Sequence, residues 1–128
     1  MFIIPATDWP DYAPLHADRI GRMAAGSGDR FKASDIDAAL LAGTMQAWTV
    51  PAGYVLLVTE IIVYPQFRAL RLVGCVGTHA HRWGRMMPFV KDTARALGCS
   101  RLEALHSAVW PLHRRGWSTF HILSEIPL

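Results

Sequence analysis

At 128 residues the chain is near the commonest size of one domain, and with 52% hydrophobic residues it has material for one substantial core, which excludes two independent modules. Its formal net charge of +3 comes from scattered arginines rather than a basic tract, with Arg82, Arg85, Arg95, Arg101, Arg114 and Arg115 biased to the second half, so an anionic small ligand is expected and specific nucleic-acid binding is not. The longest apolar run, Val55 to Val63, is interrupted by Thr59 and Glu60 and is too short to cross a membrane.

In chain order, Phe2 to Ile4 reads as a short apolar strand closed by Pro5, and Met1 to Pro5 lacks the basic start and the apolar length of a secretory signal. A first helix is predicted from Tyr12 to Ala25, with Leu15, Ile20 and Met23 turned inward and Gly26-Ser27-Gly28 as its stop. Ser34 is the expected cap of a second helix, with acidic residues in its first turn, Ile36, Leu40 and Leu41 on one face, and Gly43-Thr44 as its end. The period then changes. Ala47 to Val50 reads as a strand, Pro51-Ala52-Gly53 as a hairpin turn, and Tyr54 to Tyr64 as a return strand whose near-continuous apolarity calls for cover on both faces. Pro65 to Arg68 turns into a further strand, Ala69 to Val76, which completes an antiparallel meander. Trp83, Met86, Met87, Val90, Ala94 and Leu97 form a helical stripe over Trp83 to Leu97, with Pro88 assigned to the first turn and Gly98 closing it. Arg101 to His106 is predicted as a strand, Val109 to Arg114 as a short helix and Trp117 to Leu123 as a last strand.

Several side chains carry chemistry on this layout. Glu60, among Val58, Ile61 and Ile62, is costly to bury unless it is paired or faces a cleft; it is either a general base or a salt-bridged structural residue. Gly74 and Gly77 either shape a loop whose amides meet an anion or relieve a tight strand end. Cys75 and Cys99 have no metal-ligand spacing and read as small core residues in a reducing compartment. His79 and His81 lack further ligands, so no metal is expected, and Glu103, His106 and Ser107 lack the nucleophile elbow of a hydrolase.

The order β-α-α-β-β-β-α-β-α-β, together with Ala94 to Cys99, Leu102 to Leu105, Trp110 and Arg115-Gly116-Trp117, resembles the GNAT acyl-CoA N-acyltransferase superfamily, in particular the short divergent GNAT-like proteins of tailed bacteriophages and prophages. The resemblance implies a mixed α/β (α+β) fold over residues 1–128, with a mixed central sheet and helices on both faces. It also implies acetyl-CoA or another acyl-CoA as co-substrate, bound where two parallel strands splay, and a primary amine as acyl acceptor. The family's Arg/Gln-x-x-Gly-x-Gly/Ala loop is matched by Arg71 and Gly74, while its sixth position is Val76 and Gly77 follows one residue later. On this reading Gly74, Val76, Gly77 and Thr78 hold the pyrophosphate, with Arg71 from the same motif and with Arg82 and Arg85 adding positive charge, and Glu60 assists deprotonation of the amine. The usual tyrosine acid is replaced by Leu112, and neighbouring His113 is either its substitute or a solvent-facing residue. The alternative is a non-catalytic virion or assembly protein that keeps the fold as a scaffold, with Trp9, Trp48, Trp110 and Trp117 as contact candidates and phage structural proteins or further copies of the chain as partners. The expected location is the bacterial cytoplasm, or the virion under that alternative.

Overall fold

The centre of the fold is set by β3, Val55–Val63, whose first five residues are all buried. Such a strand is stable only between two layers, because alternate side chains point to opposite faces. The computed structural model describes residues 1–78, 85–104 and 126–127, and there the two layers are present. The elements are β1 (Phe2–Ile4), α1 (Trp9–Ala25), α2 (Ala33–Ala42), β2 (Met45–Thr49), β3, β4 (Arg68–Gly77), α3 (Met87–Ala96) and β5 (Arg101–Ala104). A single 3-10 turn at Ala6–Asp8 joins β1 to α1.

The five described strands form one mixed sheet in the order β1-β2-β3-β4-β5. Its first four are antiparallel, as the expected meander requires, and β5 lies parallel to β4 after the α3 crossover. One face carries α1 and α2: Trp9, Ile20, Met23, Ile36 and Leu40 pack with Leu56 and Val58. The other carries α3: Met87, Val90 and Ala94 pack with Trp48, Leu57, Leu70 and Leu72. The expected mixed sheet with helices on both faces is thus present, and the described elements follow the expected order as far as β5. The predicted helix at Val109–Arg114, the strand at Trp117–Leu123 and the end of the strand begun at Arg101 lie outside the described residues.

Local details depart from the sequence reading for identifiable reasons. Helix α1 begins at Trp9, three residues early, because Pro10 suits a first helical turn and the Trp9 indole N–H donates to Asp37 of α2 at 2.7 Å. Its buried line is Trp9, His16, Ile20 and Met23, whereas Leu15 is 60% exposed. Leu41 is likewise 49% exposed, since Ile36 and Leu40 at i, i+4 already define the inward line of a ten-residue helix. The cap of α2 is inverted relative to expectation: Asp35, rather than Ser34, closes the first turn by accepting from the Lys32 backbone N–H at 2.8 Å. Helix α3 begins at Met87 with Pro88 in its first turn; Trp83 lies outside the described residues. Both Trp9 and Trp48 are buried, which assigns them to packing rather than to an exposed contact surface. No helix of the described residues is long and apolar enough to cross a membrane.

Candidate active site

Strand β4 is two different structures end to end. Its first half, Arg68 to Leu72, is paired on both edges: Glu60 to Val63 and Thr59 of β3 on one side, and Arg101 to Ala104 of β5 on the other. At the junction the β3–β4 register slips by one residue, leaving Val73 as the extra residue of a bulge. A bulge bends and twists its strand, and this one falls directly after Leu72, the last residue paired with the described part of β5.

In the second half the direction of the backbone amides follows from the ladder. The Thr78 N–H donates to the Tyr54 carbonyl at 2.9 Å, so Thr78 and Tyr54 form a hydrogen-bonded pair. Alternation along an antiparallel ladder then turns the Val76 amide towards Leu56 of β3, and the Cys75 and Gly77 amides away from β3, to the side on which β5 approaches. The expectation that Val76, Gly77 and Thr78 together offer loop amides to a phosphate is therefore corrected: the Gly77 amide turns to the β5 side, while Val76 and Thr78 are engaged in the ladder. Gly74 is corrected too, because it lies inside β4 opposite Val58 rather than in a turn. Its missing side chain makes room for Met23, whose Cγ would lie 3.0 Å from an added Cβ. Gly77 is the residue that ends the strand, at φ 141°, where a Cβ would collide with the Tyr54 carbonyl and lie 2.7 Å from the Val55 Cα.

Helix α3 packs on the face of the sheet that carries Cys75. Its first turn holds no acidic residue, its N-cap is Met86, and exposed Arg85 precedes it. Amides there are unpaired by the helix itself and carry the positive end of its dipole, although Pro88 removes one donor. Arg82, His79 and His81 lie outside the described residues, as do Leu112, His113, Trp110 and Trp117. Among the described residues no group of three or more histidine, cysteine or acidic side chains is arranged to hold a metal. The Cys75 thiol belongs to the second half of β4, and burial pushes its pKa up to about 11, so it is a protonated packing residue at neutral pH.

Under the closed half of β4, on the face opposite α3, lies a polar cluster that sequence reasoning only partly identified. Glu60, Arg71 and Glu103 are cross-strand neighbours on three adjacent strands, so their side chains share one face. The Arg71 guanidinium donates through Nε and Nη2 to Glu103 Oε1, at 2.8 and 2.7 Å. The Tyr64 hydroxyl donates to the same carboxylate, 2.8 and 2.9 Å from its two oxygens, and accepts from Arg71 Nη2 at 3.2 Å. Glu60 Oε1 stands 3.6 Å from Arg71 Nη1, an ion pair looser than a hydrogen bond. Burial alone would lower the Arg71 pKa, but the hydrogen bonds and charges of Glu103 and then Tyr64 raise it, and the group stays cationic. The Tyr64 ring is held in turn by Phe67, with centroids 5.0 Å apart, and Arg101 lies over Phe67 at 3.9 Å. Glu60 is thus both paired and half-exposed, while Tyr64 and Glu103 were missed as members of its surroundings. Tyr64 is four residues from Glu60 on a period of two, which is a usable signal; Glu103 was hidden because the register of a strand reached by a helical crossover is not written locally.

No protein-family profile matches the sequence, and no curated protein is significantly similar to it. Solved structures are similar in fold. An aminoglycoside acetyltransferase from an uncultured soil metagenomic sample superposes with a TM-score of 0.68 at 14% identity, over 99% of this chain and 96% of that one. A GCN5-related N-acetyltransferase from Ralstonia eutropha gives 0.67 at 14% identity, over 98% and 96%. A predicted acetyltransferase from Clostridium acetobutylicum, solved with acetyl-CoA, gives 0.65 at 9% identity, over 98% and 94%. With its mixed sheet, helices on both faces and parallel β4–β5 pair, the chain has the fold of the GCN5-related N-acetyltransferases, the GNAT fold.

Proposed function

We propose that the protein transfers an acyl group from an acyl-CoA to a primary amine. The observation that carries this reading is the change in β4, at the Val73 bulge, from a half paired with both β3 and β5 to one that turns the Cys75 and Gly77 amides towards the β5 side, on a strand whose Cys75 side chain packs on the α3 face. An extended chain with amides, such as the pantetheine arm of CoA, is suited to pair with such an edge, and a phosphate is suited to the amides of the first turn of α3 beside Arg85. The similarity in fold to acetyltransferases supports the same reading without identifying the acceptor.

The chemistry needs a deprotonated amine, a polarised thioester carbonyl and a proton for the departing thiolate. Glu60 takes the ammonium proton, directly or through water, and the amine nitrogen attacks the thioester carbon. Backbone amides along β4 stabilise the oxyanion of the tetrahedral adduct, whose nitrogen gives up its second proton to water as the C–S bond breaks, and fixed orientation of both reactants supplies much of the rate enhancement. In this scheme His113 protonates the leaving thiolate; that assignment comes from sequence position alone.

Calorimetry with acetyl-CoA tests the first half. Wild-type protein is expected to bind, and Arg85→Glu, which sets a carboxylate at the proposed phosphate position, to bind much more weakly. Gly77 is unsuited to carry that charge because any side chain there meets the Tyr54 backbone. Glu60→Gln tests the second half: turnover should vanish while acetyl-CoA affinity is kept. Retained turnover removes Glu60 from the mechanism, and failure of the wild type to bind at millimolar ligand turns attention to the non-catalytic scaffold.

A further inference from the structure

We propose that Arg71 is a positioning residue on the acceptor side of the site, holding the Glu60 carboxylate in place, and that it is not a phosphate ligand of acyl-CoA. The inference rests on the acyl-transfer reading given above and departs from the role its sequence motif suggests.

Three observations carry it. First, the sheet itself separates Arg71 from the proposed phosphate position. Arg71 is the cross-strand neighbour of Glu60, which alternates with Leu56 and Val58 on the face packed by α1 and α2, whereas α3 packs on the other face against Leu70 and Leu72. Second, Arg71 is set back from the strand end at Gly77 by about 20 Å along the strand. The C-terminus of α3 lies beside the start of β4, where Arg68 Nη1 donates to the Leu97 carbonyl at 3.2 Å and Ser100 N–H donates to the Arg68 carbonyl at 2.9 Å. Arg71, three residues further on, stays within the half of β4 that is paired with both β3 and β5.

Third, the guanidinium is already committed. Its Nε and Nη2 are fixed by Glu103 Oε1, and Nη2 also donates to Tyr64, which directs the remaining nitrogen, Nη1, at Glu60. A planar fork held at two corners fixes the direction of the third, a property that lysine lacks. Glu103, whose oxygens receive both Arg71 and Tyr64, serves as the anchor; Glu60, contacted loosely at 3.6 Å, keeps acceptor capacity for an amine.

The test separates binding from turnover. Acetyl-CoA affinity is measured by calorimetry, and CoA release from acetyl-CoA is followed with spermidine or an alanyl peptide as acceptor, for the wild type, Arg71→Lys, Arg71→Ala and Tyr64→Phe. Arg71→Lys is expected to keep its acetyl-CoA dissociation constant within about twofold while kcat falls by about tenfold or more, as a misplaced reacting group would produce. Added methylguanidinium should restore part of the turnover of Arg71→Ala, and Tyr64→Phe, which removes one hydroxyl, should lose less than either. An acetyl-CoA affinity that drops about tenfold in Arg71→Lys identifies a phosphate ligand and overturns the inference alone. Unchanged kcat in both Arg71→Lys and Tyr64→Phe, with folding verified by thermal unfolding, also overturns it. A wild type that neither binds acetyl-CoA nor releases CoA with either acceptor defeats the acyl-transfer reading, and this inference with it.

Discussion

The two halves of β4 differ in nearly every respect that bears on function. From Arg68 to Leu72 the strand has partners on both edges and carries a charged lattice under it; from Val73 to Gly77 it follows β3 alone among the described residues and is built from small and apolar side chains. The paired half has the properties of a support, because its backbone and its Arg71 side chain are fixed from several directions. The other half has the properties of a receptor, because the ladder turns the Cys75 and Gly77 amides away from β3 and, among the described residues, no strand pairs with them on that side. One residue, the bulge at Val73, marks the change between them. A strand thus positions chemistry at one end and offers a binding edge at the other without any change of secondary structure.

Substitution at Gly77 should break the second half most severely. Gly77→Ala forces a Cβ into the Tyr54 carbonyl at a backbone angle that L-residues rarely adopt, so a loss of about 3 kcal/mol or more is expected in urea unfolding. A small loss would mean that the strand end relaxes and is less tightly defined than its ladder implies. In the region opposite the closed half, the Trp48 indole N–H donates to Thr59 Oγ1 at 2.8 Å, and Thr59 donates to Gln46 at 3.0 Å. Thr59→Val keeps the shape but orphans a buried donor, which should cost about 2 kcal/mol by the same measurement.

A gentler probe of the second half is Gly74→Ala, where, among the described residues, the added methyl meets the flexible Met23 side chain. Its expected cost of about 1 kcal/mol should shrink when Met23 is first changed to Ala, a coupling that a double-mutant cycle reads directly. If the cost persists, backbone geometry at the bulge, rather than α1, is what requires glycine.

The cover over this face also gives the protein a pH dependence. His16 is fully buried on α1, stacked on Trp9 at 6.2 Å, and its Nδ1 accepts from Arg19, which also donates to the Gly53 carbonyl. Burial first, and the Arg19 charge second, lower its pKa below the ordinary 6.5. The unfolded chain therefore binds this proton more readily than the folded one, so the contribution to stability is complete above pH 6.5 and is lost as pH falls towards the lower folded value. The urea midpoint should decline over that window in the wild type and decline less in His16→Gln. At the small end of the scale, Asp18→Ala removes an ion pair whose partners are 64% and 76% exposed, and should change stability by no more than about 0.5 kcal/mol.

Much of the fold was legible because its signals are local. The density of β-branched residues from Val55 to Val63 announced a doubly covered strand, Pro51-Ala52-Gly53 and Pro65 to Phe67 announced the turns of a meander, and Pro88 marked a helix start. Leu15 and Leu41 misled because a helical stripe admits several neighbouring faces, and only the packing of α1 and α2 against the sheet selects Trp9, His16, Ile36 and Leu40.

The candidate site divides along the same line. The sequence by itself determined that Glu60 needs a partner or a cleft, and that the order of elements as far as β5 is that of a mixed sheet with helices on both faces; that Gly77 has no room for a side chain came from the structure. Only the tertiary structure decided that Arg71 meets Glu103 and Tyr64, that Gly74 lies within a strand beneath Met23, and that the Thr78 amide closes a ladder. The reason is register: turn chemistry fixes pairing between strands joined by short turns, whereas β4 and β5 meet across a helical crossover, and the bulge at Val73 shifts everything after it by one residue.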